Sequence, residues 1–574
     1  MTQLHSRRVV DGEAAGYGDW LRRHLAEAPA QDDAPQRQPP RISIVMPVFD
    51  PDPRWLRAAI DSVRAQGHAD WELCIADDAS TRPEVPALLA DYAAADARIK
   101  WVRRASNGHI SAASNSALEL ATGAWVALLD QDDLLAPHAL GWVAREILAH
   151  PRAKLIYSDE DKVDEAGRHF APHFKSGWNA ELLRSQNFVS HLGVYDTKLV
   201  RELGGFRPGF EGAQDHDLVL RVSERLTHGE IRHIPRILYH WRAHADSTAG
   251  QAAGGAKAYA EEAGRRAVQE HLDRLGRTDL ALATSYGFRV TPRFFQEAPG
   301  VSVLVMGMHG LDDLLATARA VVQRTAYPAY EVVLVDLQEA EAAPPALAAW
   351  AAQPGFGVVS RRTGESAVST VRRAVSAASG TLLCWMQAGL VPCAADWLDE
   401  LAGRALPGDV GAVGGQVLDA EGRVADGALL LDPVRMAVPA FAGERPGDGG
   451  YFNRGALAQQ FSAVSGAFAL VPRAAYERVG GFGDNPASFP LAFVDLCLRL
   501  ADAGLQVIWS PYAECAQVGG TALARLDDST DDIRFMTSRW RDVLAHDPSH
   551  NPHLAPGRLA FDGHRPTTPP GGRA

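Results

Sequence analysis

Apolar residues in this chain fall into two alternating patterns. Short unbroken runs stop at acids or glycines, and between them lie stretches where apolar residues recur at helical spacing. Ile42-Ser-Ile-Val-Met-Pro-Val-Phe49 is a run that predicts a buried strand, followed by a helix near Trp55–Gln66. Glu72-Leu-Cys-Ile-Ala76 predicts a second strand, ending at Asp77-Asp78, and Trp125-Val-Ala-Leu-Leu129 a third, ending at Asp130-Gln131-Asp132-Asp133. Strands alternating with helices predict an α/β fold built on a mostly parallel sheet flanked by helices. In such sheets, ligands bind in the crevice beyond the carboxyl ends of the strands, which is where these acids fall.

From about residue 300 the pattern restarts. Val301-Ser-Val-Leu-Val-Met306 echoes the first strand and Glu331-Val-Val-Leu-Val335 the second, with Ser43 to Ser302 and Glu72 to Glu331 both offset by 259. Gly123 corresponds to Gly380, Gly204-Gly205-Phe206 to Gly480-Gly481-Phe482, and Asp217-Leu-x-Leu-Arg221 to Asp495-Leu-x-Leu-Arg499. The offsets drift by about twenty residues, as expected for insertions in surface loops. The chain is therefore expected to hold two tandem units, at 41–295 and 296–548, after an N-terminal helix and linker (1–40) and before a disordered tail (549–574). The second unit keeps the apolar frame and drops the acids: Asp78 becomes Leu337, Asp130-Gln-Asp-Asp133 becomes Gln387-Ala-Gly-Leu390, and Asp215 becomes Phe493. Turn formers would have survived more often, so the acids of the first unit are read as functional.

Bulk composition narrows the classes. With 574 residues the chain exceeds a single core, and its formal charge of −13 with no Lys/Arg-rich run argues against nucleic-acid binding. No apolar stretch approaches the roughly 18 residues that cross a bilayer, and the first residues lack the apolar segment of a signal peptide. Five cysteines show no metal-binding spacing and suit a reducing compartment. A cytoplasmic protein with at most peripheral membrane contact is the expectation.

Four clusters in the first unit carry chemistry. Asp77-Asp78-Ala-Ser80 offers a carboxylate to a nucleobase or ribose, or else a turn-forming Asp. Asn107-Gly108-His109 opens a helix of small residues through Asn115, a geometry open to a diphosphate or simply to close packing. Asp130 and Asp132, with Asp133 beside them, suit a hard divalent cation, while an N-capping Asp would give the same letters. Glu211-Gly-Ala-Gln-Asp215-His-Asp217 precedes a helix whose first turn would hold a deprotonated carboxylate. Beyond these, His240-Trp-Arg242-Ala-His244, followed by Ser247-Thr248, suits a pyrophosphate or its metal.

In this order the clusters resemble the family 2 glycosyltransferases of the GT-A fold, strongly over residues 40–250 and as a degenerate copy over 300–520. Tyr157-Ser-Asp-Glu-Asp161-Lys and Phe174-Lys-x-x-Trp178-Asn look like the bacterial branch associated with O-antigen, capsule and other surface glycans. The resemblance implies inverting transfer from a nucleotide-sugar donor to a glycan hydroxyl, on an acceptor expected to be lipid-linked. It implies donor binding by Pro47, Asp77, Asp78, Asn107, Gly108, Asn115, Asp130 and Arg242, and Mg²⁺ or Mn²⁺ at Asp130, Asp132, His244 and His240. The catalytic base would be Asp215 or Asp217. Asp217 persists as Asp495 in the acid-poor copy, which favours Asp215. The second unit would be a non-catalytic platform. A binding scaffold without turnover, and a transferase active in both halves, are the competing readings.

Overall fold

The computed structural model describes residues 16–29, 40–244, 254–293, 298–308, 310–339, 344–518, 529–559 and 561. The first unit is a nine-stranded sheet built from β1 (Ile42–Val48), β2 (Trp71–Asp77), β3 (Ile99–Arg103), β4 (Trp125–Leu128), β5 (Leu134–Leu135), β6 (Leu155–Val163), β7 (His169–His173), β8 (Gly193–Asp196) and β9 (Ile231–Arg242). The order is β3-β2-β1-β4-β8-β6-β9-β5, with β7 on β6. β1 runs parallel to β2 and β4, while β8 is antiparallel to both β4 and β6.

Both faces of the central strands are covered, which explains their unbroken apolar runs. Ile42, Ile44 and Met46 join one core with Leu56 and Ile60 of the helix Pro53–Arg64, while Val45 and Ala76 join another with Ala113 and Ala117 of the helix His109–Leu120. The Pro53–Arg64 helix starts where its residues allow. Asp52 caps it by accepting from Arg54 N, and Pro53 occupies a position that needs no donor.

The second unit repeats this wiring. Its main path runs Phe356–Ser360, Tyr330–Asp336, Val301–Gly307, Leu382–Gln387, Phe468–Pro472, Val410–Leu418, Gln506–Gln517 and Leu390–Pro392. Each neighbouring pair has the same sense as its counterpart in the first sheet. A buried clasp recurs too. Ser43 Oγ donates to Glu72 at 2.6 Å and accepts from Gly123 N at 2.9 Å; Ser302 Oγ donates to Glu331 at 2.6 Å and accepts from Gly380 N at 2.8 Å. A Cβ at Gly123 or Gly380 would sit 2.7 Å from that hydroxyl, so only glycine closes the clasp.

The units pack through polar as well as apolar contacts. Asn179 Nδ2 donates to Gln460 O at 3.0 Å, and Arg404 bridges Glu181 to Glu400 in a buried network. The expected N-terminal helix is present at residues 16–26, while residues 1–15 and 30–39 lie outside the described residues. The expectation of a disordered tail from 549 is corrected for residues 549–559. Asn551 Nδ2 donates to Asp159 at 2.9 Å and to Lys175 O at 2.8 Å, and the His553 ring lies 5.1 Å from that of Trp20. These polar residues are buried because they satisfy groups far away in sequence, which local composition does not register. Residues 562–574 lie outside the described residues.

Candidate active site

The carboxyl ends of β1, β2 and β4 open into a crevice of about 540 Å³ lined by Pro47, Asp78, Asn107, Asp130, Asp132 and Glu211, among others. A smaller lobe of about 40 Å³ continues past Asp130 to His191, Gln214, Asp215 and Tyr239. Seven separate chain segments thus meet in one cleft.

Asp78 lines the crevice, its carboxylate held 2.7 Å from Arg104 Nε and accepting from Gly108 N. Gly108 therefore serves Asp78. Asp77 does not reach the crevice: it accepts from Ser80 N at 2.9 Å, lies 3.3 Å from Arg103, and is fully buried. Successive residues at a strand end point to opposite faces, so only one of the pair can face the ligand side. Asn115 is also withdrawn. Its amide makes both hydrogen bonds to the Phe206 backbone, fastening the His109–Leu120 helix to the following turn.

Asp130 is the most open of the acidic group, with 45% of its side chain exposed. Asp132 lies 2.7 Å from His244 Nε2. Arg242 donates from Nε to Asp132 O at 2.7 Å and lies 4.1 Å over the Trp55 ring. Asp133 is an internal brace: it accepts from Tyr239 Oη at 2.6 Å and from Arg242 N at 2.7 Å. Burial, then the charge of Asp130, pushes the Asp132 carboxyl above the usual range, and Asp133 is raised further by burial and both neighbours. That surplus of negative potential, with carboxylate and imidazole donors to hand, suits a divalent cation, and ligand atoms of Asp130, Asp133 and His191 all lie within 4.8 Å of one another.

His240 is not part of this group. It contacts Asp161 at 2.5 Å, and Asp161 also lies 3.0 Å from His169 and accepts from Tyr17 Oη at 2.7 Å. Alternation along β9 is the reason. Tyr239 and Trp241 face His191, their ring centroids 4.6 Å and 5.6 Å from it, so His240 points to the opposite face. Ser247 and Thr248 lie outside the described residues.

The helix Gln214–Ser223 separates the two candidate bases. Asp215, in its first turn, lines the smaller lobe and accepts from Asn187 Nδ2 at 2.7 Å. Burial raises its carboxyl above the ordinary value, against the opposing pull of His191 and His216. Asp217 is fully buried, contacting Arg207 and accepting from Arg221 Nε at 2.9 Å. Asp495 makes the same contact to Arg499 at 2.7 Å. Asp217 thus locks its helix, as Asp495 locks its own in the second unit, and does not line the crevice.

His191 had no signal in the sequence. It lies between Glu160, 3.0 Å from Nδ1, and Asp130, 3.7 Å from Nε2. Burial disfavours its charge, yet these carboxylates hold it well above the usual imidazole range. No spacing rule links positions 130, 160 and 191, which meet only through sheet topology. In the second unit the matching region is apolar. Phe493 is fully buried, its ring 5.5 Å from Trp385 and about 6 Å from Phe482 and Phe489.

Comparison with known proteins fits this geometry. Residues 43–204 match the model of glycosyl transferase family 2. The chain is 39% identical to the uncharacterized protein y4gI of Sinorhizobium fredii, over 91% of this chain and 58% of that protein. It is 32% identical to the O-antigen biosynthesis protein RfbC of Myxococcus xanthus, over 94% of this chain and 42% of that one. Hyaluronan synthase of Pasteurella multocida is 27% identical over 38% of this chain and 22% of its own length. Within the first unit, residues 43–204 thus carry a family 2 glycosyltransferase region, and the second unit is sheet-rich with the same strand order. The chain spans about half the length of the first two of these relatives. Among the described residues, no helix is long and apolar enough to cross a membrane.

Proposed function

We propose that the first unit transfers a sugar, with inversion, from a nucleotide-sugar donor to a hydroxyl of a surface glycan such as an O-antigen. One observation carries this reading: the lobe lined by Asp215 shares Asp130 with the crevice lined by Asp130 and Asp132, and Asp132 lies 2.7 Å from His244. Asp78 accepts from the base or ribose. Arg242 and His244 meet the negative charge that builds on the leaving diphosphate. A Mg²⁺ or Mn²⁺ ion at Asp130, Asp132 and His244 would supply electrophilic stabilisation of that charge. Asp215 takes the proton of the acceptor hydroxyl. Its raised proton affinity makes it a better base than a solvated carboxylate, and burial beside Asn187 fixes its direction. With Asp215 deprotonating the acceptor hydroxyl, that oxygen attacks the anomeric carbon as the bond to the diphosphate breaks, and this single displacement inverts the configuration.

The second unit arose by internal duplication and serves as a non-catalytic platform. The likeness to an O-antigen biosynthesis protein supports a growing, lipid-linked glycan as acceptor, reached from the cytoplasm with at most peripheral membrane contact. Incubation with UDP-GlcNAc, UDP-glucose and GDP-mannose, with Mn²⁺ or with EDTA, tests this reading. Donor turnover that needs Mn²⁺ and fails in Asp132→Ala is expected, and the anomeric configuration of the product reads out inversion. Turnover indifferent to both EDTA and Asp132→Ala would overturn the metal assignment.

A further inference from the structure

A loop of the second unit packs against the end of β7 in the first. Tyr451 Oη donates to Pro172 O at 2.8 Å and accepts from Phe174 N at 2.8 Å, so it brackets the end of β7. The next ring, Phe452, lies 3.9 Å from the ring of His173 at an interplanar angle of 9°. Phe452 and Asn453 hold this position with φ of 48° and 64°. The left-handed region is unfavourable for a bulky residue, so this stretch of backbone is held there by its contacts.

The contact continues inward. His173 Nδ1 is 3.2 Å from Glu160 Oε1, and Glu160 Oε2 lies 3.0 Å from His191 Nδ1 while accepting from His191 N at 3.2 Å. His191 then presents Nε2 to Asp130 at 3.7 Å and stacks on Tyr239, whose hydroxyl donates to Asp133. Glu160 is buried and also lies 3.7 Å from Lys175 Nζ, so its carboxylate has little freedom to reorient.

We propose that Phe452 is a positioning residue for the first unit's active site, acting through His173 and Glu160 to fix the His191 ring against Asp130. This rests on the transferase reading for its kinetic consequence but not for its geometry. A tether of this kind gives a unit that lacks the cleft acids of the first a reason to remain attached. Small displacements of a group that borders the reacting atoms cost turnover more than binding.

The test uses the full chain. Phe452→Ala, Phe452→Tyr and His173→Gln are compared by donor turnover on the three nucleotide sugars and by NMR of ¹³Cε1-labelled histidine, with the His191 signal assigned from His191→Gln. Phe452→Ala is expected to lower kcat about tenfold with donor KM within twofold and to move the His191 signal, and Phe452→Tyr to restore both. His173→Gln, which keeps a hydrogen-bonding group near Glu160 but loses the ring, should reproduce the alanine phenotype if that variant fails to fold. An unmoved His191 signal in Phe452→Ala or His173→Gln overturns the proposal, as does a Phe452→Tyr protein as impaired as the alanine variant. Should the wild type turn over none of the donors, the functional reading fails while the NMR comparison still judges the tether.

Discussion

The two halves of this molecule share one sheet order and one Ser–Glu–Gly clasp, yet one opens into an acidic cleft and the other closes on aromatic rings. Where the first unit has Asp215 facing a cavity, the second has Phe493 packed against Trp385. The fold therefore does not depend on the acids. Clustering carboxylates at a sheet edge works against folding, and replacing them with apolar groups returns that edge to the core. The groups kept in both halves do structural work: Asp217 with Arg221 and Asp495 with Arg499 each lock the equivalent helix.

The sharpest way to break this contrast is Asp215→Asn. Turnover should fall about 10²–10⁴-fold with donor affinity nearly intact, since general-base assistance has that size; an unchanged kcat would remove Asp215 from the mechanism. Asp132→Ala should lower Mn²⁺-dependent turnover by roughly 10²-fold, in keeping with transition-state charge stabilisation, whereas Gln387→Ala in the second unit should leave it unaltered. In stability the asymmetry reverses. Phe493→Ala should cost about 3–5 kcal/mol by urea denaturation, as for other buried aromatics. Asp215→Asn should raise Tm instead: its folded proton affinity exceeds the unfolded one, so its ionised form opposes folding as pH rises. A drop in Tm would contradict that account.

The smallest effect concerns what the halves share. Hydrogen bonds and Lys100 hold the Glu72 carboxyl down at about 2 against the penalty of burial, and Glu331 is also lowered. Carboxyls depressed in the folded state contribute stability above the unfolded pKa, near 4.5, and lose it as pH falls toward 2. Glu72→Gln should therefore flatten the acid limb of the stability profile between those values. An acid limb as steep as that of the wild type would count against the clasp as its source.

Much of this was legible in the residues themselves. The apolar runs and the constant offset of 259 between Ser43 and Ser302 and between Glu72 and Glu331 located both sheets. They did so because strand burial is a local, periodic requirement. Asp78, Asp130, Asp132, Asp215, Arg242 and His244 were marked as chemical by their absence or replacement in the second unit, or by their spacing, and the first four line the cleft. Asp77, Asn115, His240 and Asp217 carried the same letters but different orientations. Strand alternation and helix rotation turned them to other partners, and neither is resolved by residue type alone.

Sequence by itself determined the α/β class, the tandem arrangement and the pool of acids, because these follow from hydrophobic period and from which positions the two halves keep. Only the tertiary structure decided which acids face one another. It brought His191 beside Asp130, set Phe452 of one half on His173 of the other, and buried Asn551 against Asp159. Those choices depend on contacts between residues far apart in the chain, and the physical terms that fix them, desolvation and directional hydrogen bonding, act only once the surfaces have met.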